Sequence, residues 1–158
     1  MGNKALIYQK KVQDNLSESY KHLTRIDEAF EQLHKKYSQP INEKSYERIL
    51  DSIQDMAYSD QIIYRFSKLQ DVMGAKLFKA LLLSQGENTD KPFLDILNQL
   101  EKMNIVNVEE WFEIRDLRNE IAHDYDAKES IAIEIINSIY EFKSELKEIL
   151  DSIKQIIS

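Results

Sequence analysis

With 158 residues, 42% of them apolar and 31% charged, the chain is long enough to bury one hydrophobic core. Only three glycines and two prolines interrupt a composition rich in Leu, Ile, Glu, Lys and Gln, which favours an all-helical protein over a sheet protein or a disordered one. The absence of cysteine excludes disulfides and thiolate metal sites, the net charge of −7 argues against broad coating of DNA or RNA, and no apolar run approaches the ~18 residues of a membrane span.

The N-terminus MGNKALIYQK lacks the apolar segment of a signal peptide, so a soluble cytoplasmic protein is expected. A first helix is predicted from about Lys4 to Tyr37, where Leu16, Tyr20, Leu23, Phe30 and Tyr37 fall at helical steps and Val12, Ile26 and Leu33 widen the stripe. His22 and His34 read as solvated surface histidines, since neither has a partner at metal-ligand spacing. Pro40 is expected to end this helix.

A second helical region is predicted over about Asn42 to Leu83. Tyr46, Ile49, Leu50, Ile53 and Met56 mark its first half, and Ile63, Phe66, Leu69, Val72, Met73, Leu77, Leu81 and Leu82 its second. Tyr58, Ser59 and Asp60 either cap a new helix or lie on its exposed side. Gly74 is a weak point where another helix could approach closely, and Arg65, Lys68, Lys76 and Lys79 form a basic face, read as solvated ahead of the alternative of a phosphate-tracking surface. Ser84 to Lys91 is a loop with Gly86 as helix C-cap. Asp90 then caps a short helix, with Pro92 in its first turn and Leu94, Leu97, Leu100 and Met103 on its apolar face. Asn107 and Glu110 resemble a capping box opening the next helix, which buries Val108, Trp111, Phe112, Leu117 and Ile121. The last helix is predicted to begin near Asp126, with Glu129 as a reciprocal cap and Ile131, Ile135, Ile139, Phe142, Leu146, Ile149, Ile153 and Ile157 as its core stripe. Four to five main helices joined by short turns imply an all-α, up-and-down bundle forming a single domain over residues 1–158.

Glycine-rich phosphate loops, zinc-binding helices and nucleophile elbows have no counterpart in the chain, so no metal or cofactor is expected. The chemistry concentrates in Trp111 to Tyr125, WFEIRDLRNEIAHDY. Asn119 and His123 are four apart and Arg115 and Arg118 three apart, so each pair shares a helix face. Arg118 and His123 are five apart, about 140° around the axis. A phosphate held between them is easier to build if a twofold mate brings a second set into one cleft. Such a cleft suits RNA transesterification: the histidine takes or gives a proton near neutral pH, the arginine binds phosphate oxygens, and the ribose 2′-OH is the nucleophile. Asn119 could orient His123 or the phosphate, and Tyr125 could donate a hydrogen bond. The same residues also suit a purely structural arrangement, a helix C-terminus bearing His123, with Arg118 paired to a nearby Glu and Tyr125 packed between helices.

Arg118, Asn119, His123 and Tyr125 fit the pattern Arg-polar-x-x-x-His-x-Tyr, and the chain resembles the HEPN superfamily, specifically its HepT-like branch. Trp111 early in the helix, Arg115, and Ala122 before the histidine also match that branch, and Tyr64 to Leu83 more loosely resembles its second helix. The resemblance implies a helical-bundle homodimer meeting at the motif helix. It also implies a metal-independent endoribonuclease acting as the toxin of a toxin–antitoxin pair. Arg118 and His123 would be catalytic, and Asn119, Tyr125 and Arg115 supporting. The implied partner is an MNT-type nucleotidyltransferase antitoxin, which can block the toxin by adding AMP to Tyr125. The alternative is a noncatalytic helical module that presents substrate to such a nucleotidyltransferase.

Overall fold

A computed structural model describes residues 2–124 and 128–158. These residues form an all-α bundle: α1 (Asn3–His34), α2 (Glu43–Leu50), α3 (Ile53–Val72), a π-helical turn (Met73–Leu77), α4 (Phe78–Ser84), α5 (Phe93–Lys102), α6 (Val108–Asp124) and α7 (Glu129–Ile157). No strand occurs among the described residues.

Helical periodicity decides the packing. The α1 stripe of Val12, Leu16, Leu23, Ile26, Phe30 and Leu33 is buried, as is the α7 stripe of Ile135, Ile139, Leu146, Ile149 and Ile153. α1 packs on α3, α4 and α7, while α6 packs on α3, α5 and α7. Their side chains join one continuous core that includes Phe66, Phe78 and Trp111. Each fully buried side chain of this size contributes on the order of 1.5–3 kcal/mol through removal from water.

Several boundaries differ from the sequence expectation. α1 stops at His34, ahead of Pro40, although Tyr37 beyond it is still buried. Its hydroxyl donates to Asp55 Oδ2 at 2.6 Å, and Lys36 reaches the same carboxylate at 3.2 Å, pinning the segment to the start of α3. The second helical region breaks at Asp51–Ser52, where Ser52 Oγ accepts the Asp55 backbone N–H at 3.1 Å and caps α3. Tyr58, Ser59 and Asp60 lie inside α3, and Ser59 is buried. Ile53, expected on the apolar face, is 92% exposed because the break turns it outward.

α4 ends as expected at Gly86, whose φ of 78° and the Glu87 N–H bond to Leu82 C=O complete a left-handed cap. α5 begins at Phe93 with Pro92 as its cap residue, and the Asp90 N–H turns back to Asn88 Oδ1 instead. Leu94 is exposed rather than buried. α7 starts at Glu129 with Lys128 at its N-cap and no side-chain cap; the start expected near Asp126 falls outside the described residues.

The two α1 histidines are not solvated. His22 is buried: its Nδ1 accepts from Arg65 Nη1 at 3.1 Å, leaving Nε2–H to donate to Glu18 at 3.1 Å. His34 is half-buried between Phe30 and Tyr140, with ring centroids 5.6 and 5.2 Å away.

Candidate functional site on the exposed face of α6

Two side chains fix where α6 begins. Asn107 Oδ1 accepts the Glu110 N–H at 3.0 Å, and the Glu101 carboxylate accepts the Val108 N–H at 2.8 Å. The Glu110 side chain does not close a reciprocal box. It shares a hydrogen bond with Glu145 of α7. Burial first, then this bond and the charges of Glu110, Glu113 and Glu148, push the Glu145 carboxyl up to about 8. Glu101, Glu110, Glu145 and Glu148 line one cavity of about 380 Å³ at this seam. No group of three carboxylates or histidines has metal-binding geometry among the described residues.

Trp111, Ile114, Leu117 and Ile121 form the buried stripe of α6. Trp111 is fully enclosed and meets Phe78 edge-on, with ring centroids 4.8 Å apart. It also fills the space left by Gly74: a Cβ there would lie 3.3 Å from the indole. The close approach expected at Gly74 is therefore made, and α6 is the helix that makes it.

Burying that stripe turns the motif outward. At about 100° per residue, Arg118, Ala122, Arg115, Asn119 and His123 follow one another across about 140° of the helix. Arg115, Asn119, Ala122 and His123 are exposed and Arg118 half-buried. Asn119 and His123 have no hydrogen-bond partner among the described residues. Tyr125 lies outside the described residues.

Arg118 is held differently. Its Nε and Nη2 donate to the two carboxylate oxygens of Asp71 on α3, at 3.0 and 3.1 Å. This pair aligns the guanidinium plane, and no other partner holds its outer edge among the described residues. The purely structural arrangement pairs Arg118 with a nearby Glu, whereas the partner found is an Asp on another helix. No local pattern marks Asp71, because the pairing crosses 47 positions of sequence. Arg115 lies over the Phe93 ring at 5.4 Å and has no carboxylate partner among the described residues. Of the basic face expected on α3 and α4, Lys68, Lys76 and Lys79 are exposed, whereas Arg65 turns in toward His22.

No helix among the described residues is long and apolar enough to cross a membrane. In comparisons with known proteins, no family model matches the chain and no curated protein matches its sequence.

Proposed function

We propose that the chain is a metal-independent endoribonuclease of the HepT-like kind, acting on RNA by 2′-OH transesterification as the toxin of a toxin–antitoxin pair. The observation that carries this reading is the outward face of α6, where His123 is exposed with no hydrogen-bond partner among the described residues and Arg118 is oriented by Asp71. Arg118 and His123 occupy opposite edges of that face, with the small exposed Ala122 between them. One copy cannot easily close both groups on a single phosphate. Two copies related by a twofold axis along this face bring two arginines and two histidines into one cleft.

In that cleft, one His123 takes the proton of the 2′-OH as its oxygen bonds to phosphorus. The P–O5′ bond breaks, and His123 of the second copy, protonated, gives its proton to the departing 5′-oxygen. Arg118 binds the non-bridging oxygens as charge builds on them, and Asn119 orients the imidazole or the phosphate. The products are a 2′,3′-cyclic phosphate and a 5′-hydroxyl. By the same resemblance, an MNT-type nucleotidyltransferase is the antitoxin. AMP added to Tyr125, two residues beyond His123, would set an anion beside the cleft and obstruct it.

The test is cleavage of single-stranded RNA in EDTA by wild type and His123→Ala. Cyclic-phosphate ends that persist in EDTA and vanish in the variant are expected, with the dimer retained in light scattering. A protein that is monomeric at micromolar concentration would undercut the composite cleft. Failure of unmodified, dimeric wild type to cut several RNAs, tRNA included, would turn the reading toward a noncatalytic module that presents substrate to a nucleotidyltransferase.

A further inference from the structure

A cavity of about 310 Å³ opens beside the Arg118–Asp71 pair, lined by Gln70, Asp71, Gly74, Lys79, Phe93 and Arg115. Three groups with different chemistry converge on it. The Arg115 guanidinium lies over the Phe93 ring, 5.4 Å from its centroid, making a cation–π tier. Lys79 is exposed, and no carboxylate pairs with it among the described residues. The Gln70 carboxamide belongs to a residue only 8% exposed, yet it makes no hydrogen bond to any described residue. Its polar atoms face the cavity's solvent rather than a protein partner, so its donors and acceptor are available to an incoming ligand. Gly74 lets the Gln70 carboxamide and the Trp111 ring pack closely against the helix at the cavity wall, since a Cβ there would come within 3.3 Å of both Gln70 Nε2 and the indole. The π-helical turn that contains Gly74 is a kind of helix irregularity frequently found at functional sites.

Resting on the nuclease reading above, we infer that this cavity is a subsite for one nucleotide of a single-stranded RNA, next to the phosphate that Arg118 binds. The base stacks on the Arg115–Phe93 tier, the Gln70 carboxamide bonds the base edge, and Lys79 neutralises a flanking phosphate. The placement suits a continuous strand: Arg115 is one helical turn, about 4.5 Å along the axis, from Arg118. Base recognition here gives the enzyme a sequence preference despite its acidic overall charge.

The subsite can be read without any cleavage. The full-length protein, with ¹⁵N label, is titrated with the four 5′-mononucleotides and with a short oligonucleotide carrying 2′-deoxy sugars, while the Gln70 side-chain amide and the Trp111 indole signals are followed. Saturable shifts at both positions are expected, with one base preferred and the oligonucleotide binding more tightly than its mononucleotide. Phe93→Ala should weaken binding about tenfold or more, and Gln70→Leu should erase the preference. Gly74→Ala should weaken binding by displacing the Gln70 carboxamide, with Phe93→Leu as a milder change should the alanine disturb packing. Absence of shifts from every nucleotide, or shifts confined to Arg118 and His123, overturns the subsite. Binding of mononucleotides with exclusion of the oligonucleotide overturns its assignment to RNA. Shifts as described in a protein that never cleaves RNA leave the subsite standing while the nuclease reading falls.

Discussion

Asp71 on α3 receives two parallel hydrogen bonds from Arg118 on α6, at 3.0 and 3.1 Å, so the motif arginine takes its direction from a different helix. An exposed ion pair of this kind adds little to stability, roughly 0–1 kcal/mol. Its value is geometric.

Asp71→Ala should therefore leave the melting temperature nearly unchanged while lowering kcat/KM for RNA about tenfold to a hundredfold through a misplaced guanidinium. Circular dichroism melts paired with cleavage kinetics check this. Faster cleavage by the variant would mean that Asp71 restrains Arg118 rather than aims it.

Arg118→Lys keeps the charge but not the planar fork. It should lose most of the activity, because an ammonium cannot hold Asp71 and a phosphate in the same plane. Single-turnover cleavage at saturating RNA is the measurement, and near-wild-type rates would show that only charge is needed at this position.

The carboxyl seam between α6 and α7 predicts a pH dependence. The Glu145 carboxyl is raised from its ordinary value to about 8, by burial first and then by Glu110, Glu113 and Glu148. The folded state therefore favours the protonated form. Its stabilising contribution is full below the ordinary carboxylate range and is lost as the pH rises through about 8. The melting temperature should fall between pH 5 and pH 9, and Glu145→Gln should flatten that decline. An identical slope in the variant would mean that the seam does not hold a proton.

Asp55 titrates in the opposite sense. Burial alone would raise its carboxyl, but hydrogen bonds from Tyr37, Lys36 and Ser52 and the Lys36 charge prevail and hold it below its usual value. Its contribution is present above the ordinary carboxylate range and lost as the pH falls through its lowered value. Asp55→Ala should cost about 2 kcal/mol near neutral pH by orphaning the buried Tyr37 hydroxyl, and much less at low pH. Urea unfolding at pH 7 and pH 3 tests this, and equal losses at both would refute it.

Asn137 of α7 clamps the segment between α1 and α2. Its Oδ1 accepts from Ile41 N at 2.9 Å and Gln39 Nε2 at 2.8 Å, and its Nδ2 donates to Ile41 C=O at 2.9 Å. Asn137→Leu should destabilise by about 2–3 kcal/mol, since two backbone groups lose their partners in a part-buried place. Unfolding midpoints are the measure, and a change under 0.5 kcal/mol, about the scatter of an ordinary surface substitution, would refute the clamp.

Much of this architecture was legible because long helices write their buried face into a repeat. The α1 and α7 stripes emerged in that way, as did the burial of Trp111, Leu117 and Ile121 on α6. The break at Asp51–Ser52 was hidden because Ile49, Leu50, Ile53 and Met56 keep helical spacing across it. Only the Ser52 cap hints at the interruption, and Ser is too common to decide it alone. His22 was misplaced because its environment depends on Arg65, and Asp71 was missed because its meaning depends on Arg118. In each case the partner lies on another helix, beyond the reach of any local pattern.

The turn at Met73–Leu77 also fixes something about how this chain can vary. A π turn holds one residue more than the α-helix it interrupts, and each α-helical residue rotates the chain by about 100°. Asp71 before it and Lys79 after it are therefore out of phase by roughly one residue's rotation relative to an uninterrupted helix. Deleting a single residue here, even the exposed Ala75, would straighten the rod and swing one end of it around its axis. Either Asp71 would leave Arg118 or Lys79 would leave the cavity. Substitutions at the exposed Lys76 should be cheap, whereas the length of this stretch is not free to drift.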